Sequence, residues 1–155
     1  MKRELTLTDI AGYLDHTLLG QHLTGAICWI DVKFIAQHGI ALARYNPVLR
    51  PMSDLYVEIS ERGYNNGKPF VPLVEFAKVR YPYLTSRRFI TDTKYVECAE
   101  NDSSGWEKWK MYELDLESMF VEELPLPHRL HLDYRDLIDA GLAVSVHDLK
   151  QNPYE

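Results

Sequence analysis

The apolar residues of this sequence keep a single spacing only over short stretches, and this feature constrains the fold more than any other. Leu7, Ile10, Ala11 and Leu14 recur at the spacing of one helix face, whereas the segments that follow carry residues typical of strands. Similar changes of spacing recur along the 155 residues, and no internal repeat or linker divides them. The pattern therefore predicts one α+β domain, in which a small antiparallel meander and a hairpin pack with several short helices.

The predicted strands form two groups. The meander and then the hairpin are predicted over residues 17–23, 26–35, 39–46, 87–98 and 106–114. Residues 26–30 are apolar at successive positions, so we expect that strand to be central and covered on both faces. A further short strand is predicted over residues 142–146, and a turn over residues 65–69.

Helices are predicted where a capping residue or a proline precedes an apolar period. The predicted helices are Leu7 to Leu14 with Thr6 and Asp9 as a capping box, two turns from Pro51 that end before Gly63, residues 72–78, Asp115 to Leu124, and Tyr134 to Ala140 behind Asp133 as N-cap. Pro125 and Pro127 are expected to stop the fourth helix and to begin a loop, because proline interrupts a helix interior. Gly141 is expected to end the last helix.

Composition places the chain among ordinary globular proteins. It is 46% apolar and 26% charged, and its length suffices for one core without disulfides or metals. No stretch approaches the roughly 18 apolar residues of a membrane span, and the basic start runs directly into Glu4. We therefore expect a cytoplasmic protein without a membrane partner, in which Cys28 and Cys98 are buried thiols.

Negative charge is concentrated in one segment. The net charge of the chain is −6, and residues 97–123 carry nine acidic side chains against two basic ones. Such a segment repels a phosphate backbone, so nucleic acid is not the expected partner. The weaker alternative is nucleic-acid binding through Arg80, Arg87 and Arg88, which lie close to tyrosines in the sequence.

The acidic segment is also rich in aromatic residues. Tyr and Trp anchor protein interfaces because they combine a large apolar area with few rotatable bonds and a polar tip. We predict an acidic, aromatic interaction face formed by Trp106, Trp109, Tyr112, Glu113, Glu117 and Glu122. Such a face suits a basic protein partner, and the alternative is that these rings pack the hairpin on its helices.

The sequence contains no recognised catalytic or phosphate-binding motif, so neither a catalytic residue nor a cofactor is predicted. The densest set of potential metal ligands is His128, His131 and Asp133. Imidazoles three residues apart can share a helix face, and a metal-assisted hydrolase using these residues is the alternative function. The spacing matches no named metalloenzyme pattern, and capping or surface roles are the other interpretation.

Four segments stand out together, namely LTLTDIAGYL (5–14), LRPMSDL (49–55), DYRDLIDAGLA (133–143) and NPY (152–154). They resemble an uncharacterised family of small proteins encoded by phages and integrated elements of gut bacteria of the Bacteroides type. The likeness covers both ends and the middle of the chain, and it is least in the hairpin around residues 85–112. The resemblance implies no activity or cofactor; it implies an accessory protein of a mobile element that binds a host or phage protein in the bacterial cytoplasm.

The leading prediction is accordingly a non-enzymatic protein interaction module. It depends on the absence of catalytic motifs, the excess of interface-type aromatic residues and the acidic segment. The sequence leaves the oligomeric state and the identity of the partner open.

Overall fold

The computed structural model describes residues 3–31, 33, 35–36, 45–83, 86–89, 95–101, 107–114 and 125–155. The helices are α1 (Leu7–Ile10), α2 (Pro72–Arg80) and α3 (Pro125–Arg129). The strands are β1 (Leu18–His22), β2 (Ile27–Ile30), β3 (Tyr45–Leu49), β4 (Ser86–Phe89), β5 (Tyr95–Asn101), β6 (Glu107–Glu113) and β7 (Val144–Ser145). Short 3-10 helices cover Ala11–His16, Met52–Tyr56, Asn65–Gly67 and Val146–Asp148. The predicted α+β class is confirmed.

The chain divides into two compact units. The first unit combines Met1–Met52 with Leu124–Glu155, and the second is Ser53–Glu123. The first unit is thus built from both ends of the chain, and the second from its middle. That the chain forms one domain stays a prediction.

The first unit opens with α1 and the 3-10 helix that follows it, as the apolar spacing predicted. The Asp9 carboxylate accepts the backbone N–H of Thr6 at 2.9 Å and the Thr6 hydroxyl at 3.0 Å. The Asp9 backbone N–H donates to the Thr6 carbonyl at 3.1 Å. These bonds satisfy donors at the start of the helix and confirm the predicted capping pair.

The sheet of the first unit has the strand order β2-β1-β3-β7. Strand β1 pairs antiparallel with both β2 and β3, and β7 adds a parallel pair to β3. The predicted meander is therefore wrong, because β1 lies between β2 and β3 and these two strands do not pair with each other in the described residues. One core cluster joins the strand residues Leu18, Ile30 and Leu49 to Ile10 and Tyr13. A second, smaller cluster joins strand β3 to the C-terminal segment and comprises Val48, Val146 and Tyr154.

The position of β2 corrects a prediction. The apolar run 26–30 was expected in a central strand, but β2 is the outermost strand of its sheet, and Ile27 and Trp29 are 41% and 56% exposed. An apolar run carries no information on which strands lie beside it, so it fits an open edge as well as a buried position. Cys28, expected to be buried, is half-buried on this strand.

The lengths of β2 and β3 also differ from the prediction. Strand β2 ends at Ile30, and Lys33 and Ile35 lie in helical conformation, where the sequence predicted a continuing strand. Strand β3 begins at Tyr45 and runs to Leu49, and the predicted strand start at residues 39–44 lies outside the described residues.

Three predictions about helices are wrong. After Pro51, only the 3-10 helix Met52–Tyr56 forms, because Ile59 pairs instead with Phe70 through backbone bonds of 2.8 and 2.9 Å. Turns replace the helix predicted from Tyr134 to Ala140, since Asp136 adopts a left-handed φ of 57°. Pro125, expected to stop a helix, instead begins α3, a position that proline favours.

The second unit contains α2 and a three-stranded antiparallel sheet of order β4-β5-β6. Helix α2 begins at Pro72 as predicted and buries Leu73, Phe76 and Ala77. Strands β5 and β6 confirm the predicted hairpin. The single strand predicted over residues 87–98 is wrong, because β4 and β5 are two strands that pair antiparallel. The turn predicted at residues 65–69 is confirmed by the 3-10 helix Asn65–Gly67. The helix predicted from Asp115 to Leu124 lies outside the described residues, and none of the described helices is long and apolar enough to cross a membrane.

Candidate interaction surface

Strand β6 is one of the two outer strands in the described sheet of the second unit, and one of its faces exposes large apolar side chains. Trp109 is 43% exposed and Met111 is 55% exposed, although both are apolar residues that normally lie inside. The antiparallel register places Trp109 opposite Ala99 and Met111 opposite Glu97, so these residues share one face of the sheet. Exposed Glu113 follows two positions on and lies on the same face. We call Glu97, Trp109, Met111 and Glu113 the β6 surface.

The opposite face of β6 carries two exposed lysines and a packed tyrosine. Lys108 and Lys110 are exposed there, while the Tyr112 ring is half-buried with its centroid 4.6 Å from that of Tyr81, the residue that follows α2. Tyr112 therefore packs the sheet against the end of α2. Tyr112 packs within the second unit, as the alternative interpretation expects, whereas Trp109 and Glu113 are exposed.

The remaining predicted members of the face, Trp106, Glu117 and Glu122, lie outside the described residues. Sequence reasoning missed Met111 and Glu97. Met111 could have been found from the strict alternation of side chains along a strand, because it lies two residues after Trp109. Glu97 could not, because its place beside Met111 depends on the pairing register.

Two arginines of the nucleic-acid alternative, Arg80 and Arg87, are partly buried, and the side chain of Arg88 lies outside what the structure describes. The guanidinium of Arg87 is half-buried and donates through Nη2 to the carbonyl of Tyr81. Arg80 is half-buried as well. Arg87 therefore serves the packing of β4 against the end of α2, and no observation favours binding of a phosphate backbone here.

The residues of the metal alternative each make separate contacts in the first unit. His131 bonds through Nε2 to the His16 carbonyl at 2.6 Å, and its ring stacks on Tyr154 with centroids 3.7 Å apart. Buried Asp133 accepts the backbone N–H groups of Leu137 at 2.8 Å and Ile138 at 2.9 Å. Across the described residues, no three His, Cys, Asp or Glu side chains are grouped as metal ligands would be. The described contacts therefore give the hydrolase alternative no support.

His128 lies on α3, not in the predicted loop, and is part of a cluster of rings. Its Nε2 lies 2.7 Å from the Tyr134 hydroxyl, and Tyr13 packs edge-on against it with centroids 4.8 Å apart. Arg135 donates from Nε to the Tyr134 oxygen at 3.2 Å. The Nε2 atom of a neutral His128 ring accepts the Tyr134 proton in one tautomer and donates to the Tyr134 oxygen in the other.

The surroundings of His128 favour its neutral form. Burial, followed by the nearby charges of His16 and Arg135, lowers the pKa of His128 to about 4. Burial also raises the pKa of Asp133, against the two backbone bonds that lower it. His128 and Asp133 therefore have opposite shifts with one main cause, the desolvation of a charged form.

We expect acid to destabilise the wild-type protein through His128. Its pKa is about 6.5 in an unfolded chain and about 4 in the folded protein, so between these pH values the unfolded state binds the extra proton. The free energy of unfolding should therefore fall as the pH falls from about 6.5 to 4, by about 1 to 2 kcal/mol after allowance for solvent screening.

Urea unfolding near neutral pH and near pH 4.5 would measure this effect in the wild type and in His128→Gln. The carboxyl groups titrate in both proteins, so the difference between their losses isolates His128. The wild type should lose more stability than the variant. Equal losses would show that His128 is not the group responsible.

Comparison of the chain with protein-family models, with curated proteins and with solved structures finds no match.

Proposed function

We propose that the chain is a non-enzymatic protein interaction module that binds its partner through the β6 surface. The observation that carries this proposal is the exposure of Trp109 and Met111, two residues apart on one face of an outer strand. Trp and Met are enriched in protein interfaces because they bury a large area and, for Met, adapt in shape. Exposure of these apolar side chains to water costs free energy, and burial against a partner recovers it.

The charges of the β6 surface indicate the chemistry of the partner. Glu113 and Glu97 border the two apolar side chains, and they belong to the segment of residues 97–123 with nine acidic residues against two basic ones. A partner that presents basic residues beside an apolar patch would be attracted over a distance and held at the surface. An outer strand also offers backbone N–H and C=O groups to an extended segment.

The side chains of β6 disfavour pairing of this strand with a copy of itself. The exposed Lys108 and Lys110 alternate in position with Trp109 and Met111, and the exposed Glu113 ends the strand. Charged residues on outer strands oppose strand pairing between copies. A different protein is therefore the better partner. That this protein comes from a host or a phage, and that binding occurs in a bacterial cytoplasm, is supported by the sequence resemblance alone.

Affinity purification with a paired set of variants would test the proposal. The wild type, Trp109→Ala/Glu113→Lys and the control Val79→Ala/Glu58→Lys would be used to capture proteins from bacterial lysate, with identification by mass spectrometry. The control removes an exposed apolar side chain and reverses an exposed charge elsewhere in the second unit. A true partner is retained by the wild type and the control and is lost with the β6 variant.

The affinity of the captured partner should then fall by about tenfold or more in the β6 variant, because truncation at an interface centre commonly costs that much. The salt dependence of binding should weaken too, since one attractive charge has been reversed. Equal binding by the two variants would contradict the proposal.

A further inference from the structure

Strand β2 has a second open edge, in the first unit. Strand β1 pairs with it on one side, and no other described strand pairs with it on the outer side. Ile27 and Trp29 project from one face of β2, and Leu23 in the preceding turn is exposed as well. An outer strand with exposed apolar side chains is a template for one more strand.

The described residues of this edge carry no charge and no proline, two features that keep outer strands apart. Residues 18–30 include no Asp, Glu, Lys, Arg or Pro. By contrast, β6 carries Lys108 and Lys110, and β7 has only two residues. Because a charged side chain beside Ile27 and Trp29 would lose part of its hydration without gaining a partner, an apolar, uncharged strand fits β2 best.

We propose that a second copy of β2 is this strand, so that two copies of the chain pair edge to edge as a two-fold dimer. Strand β2 is uncharged, apolar and extended, and each copy offers it with the same geometry. A contact of a surface with itself about a two-fold axis closes after two subunits. The two sheets of order β2-β1-β3-β7 join into one continuous sheet.

Symmetry limits the register of this pair. A two-fold axis perpendicular to an antiparallel sheet keeps each side chain on its own face, so Trp29 of one copy lies opposite Ile27 or Trp29 of the other. Pairing of an aromatic ring with a β-branched side chain is favourable, which selects Trp29 opposite Ile27. This register places the two Cys28 residues directly opposite each other, with Cα atoms about 4.5 to 5.5 Å apart, a separation that a disulfide can span.

The molecular mass in solution tests the dimer. Light scattering after size exclusion, over a range of concentrations, should give a dimer for the wild type and a monomer for Trp29→Lys. The control is Val79→Lys, which adds the same charge at an apolar residue of similar exposure, 51%, on α2. The control should remain dimeric, and circular dichroism should show that both variants keep the fold.

Cross-linking tests the register. Diamide accepts two electrons and two protons from a pair of thiols, which then form the disulfide, and burial raises the pKa of Cys28, so the reaction is run at mildly alkaline pH. The wild type should give a covalent dimer on a non-reducing gel, and Cys28→Ser should not.

A wild-type monomer at every concentration would overturn the proposal, as would a dimer that survives Trp29→Lys. The proposal does not depend on the β6 surface. Trp109→Ala/Glu113→Lys is therefore expected to leave the dimer intact. The measurement of mass tests the dimer, and the affinity purification tests the β6 surface, so either proposal can fail without the other.

Discussion

Replacement of Tyr154 by alanine is expected to lower the free energy of unfolding of the first unit by about 3 to 5 kcal/mol, the range for removal of a large buried ring. Tyr154 is only 3% exposed and belongs to the cluster that joins β3 to the C-terminal segment. Its hydroxyl donates to the Val48 carbonyl at 2.7 Å and accepts the Leu19 backbone N–H at 3.0 Å. Its ring also stacks on His131. The Tyr154 side chain therefore contacts β1, β3 and the segment that contains His131.

A conservative variant separates the ring from the hydroxyl. Tyr154→Phe keeps the apolar contacts but leaves the Val48 carbonyl and the Leu19 N–H without this hydroxyl, which should cost about 1 to 3 kcal/mol. Urea unfolding of the wild type and the two variants measures both effects. If Tyr154→Phe lowers the free energy of unfolding as much as Tyr154→Ala, the hydroxyl and not the ring stabilises the segment. If neither variant loses stability, the role assigned to Tyr154 is wrong.

Replacement of Gly12 by alanine is expected to be the second large loss, about 1 to 3 kcal/mol, as overpacking of a filled site usually costs. A Cβ at position 12 would lie 2.0 to 2.4 Å from ring atoms of His128, well inside contact distance. The ring has little freedom to withdraw, because Tyr134 bonds to its Nε2 and Tyr13 packs against it. Glycine lowers helix propensity at this position, and the close approach of His128 explains why it is there.

A double-mutant cycle tests this explanation. In the background of His128→Ala the ring is gone, so Gly12→Ala should cost little or should even stabilise, since alanine favours helical backbone. Thermal unfolding of the wild type, the two single variants and the double variant gives the coupling. If Gly12→Ala costs the same with and without the His128 ring, the strain has another source.

The elements that sequence patterns predicted correctly are those whose cause is local. The capping pair of Thr6 and Asp9 lies within one turn, and Pro72 starts α2 through its own fixed backbone angle. The hairpin of β5 and β6 follows from β-forming residues on both sides of a polar loop. Neighbouring residues contain the information for each of these elements.

The wrong predictions concern residues whose environment is set from far along the chain. The apolar run that forms β2 gives no sign of its place at the edge of the sheet, because that place depends on the strand order. Asp133 was predicted as a helix N-cap, and its carboxylate does accept backbone N–H groups, but these are at Leu137 and Ile138 in a series of turns. The sequence identified the capping group correctly and the element that it caps incorrectly.

The residues of the β6 surface also differ in whether neighbouring residues or distant strand pairing places them there. Trp109 and Glu113 were predicted because their residue types are typical of interfaces, whereas Glu97 joins them only through the register of β5 with β6. The contacts of His131 with His16 and with Tyr154 were not predictable either, since one partner lies 115 positions away in the chain.

The first unit combines residues from both ends of the chain, and this affects the order in which the two units fold during synthesis on the ribosome. The bond from Tyr154 to Val48 spans 106 positions, and the bond from Tyr13 to Leu132 spans 119, so neither can form until most of the chain has emerged. The second unit is contiguous, and the contacts within it close shorter loops, which form faster. On a nascent chain we therefore expect residues 53–123 to fold first, whereas the first unit is completed only after its C-terminal segment, with β7 and Tyr154, has left the exit tunnel.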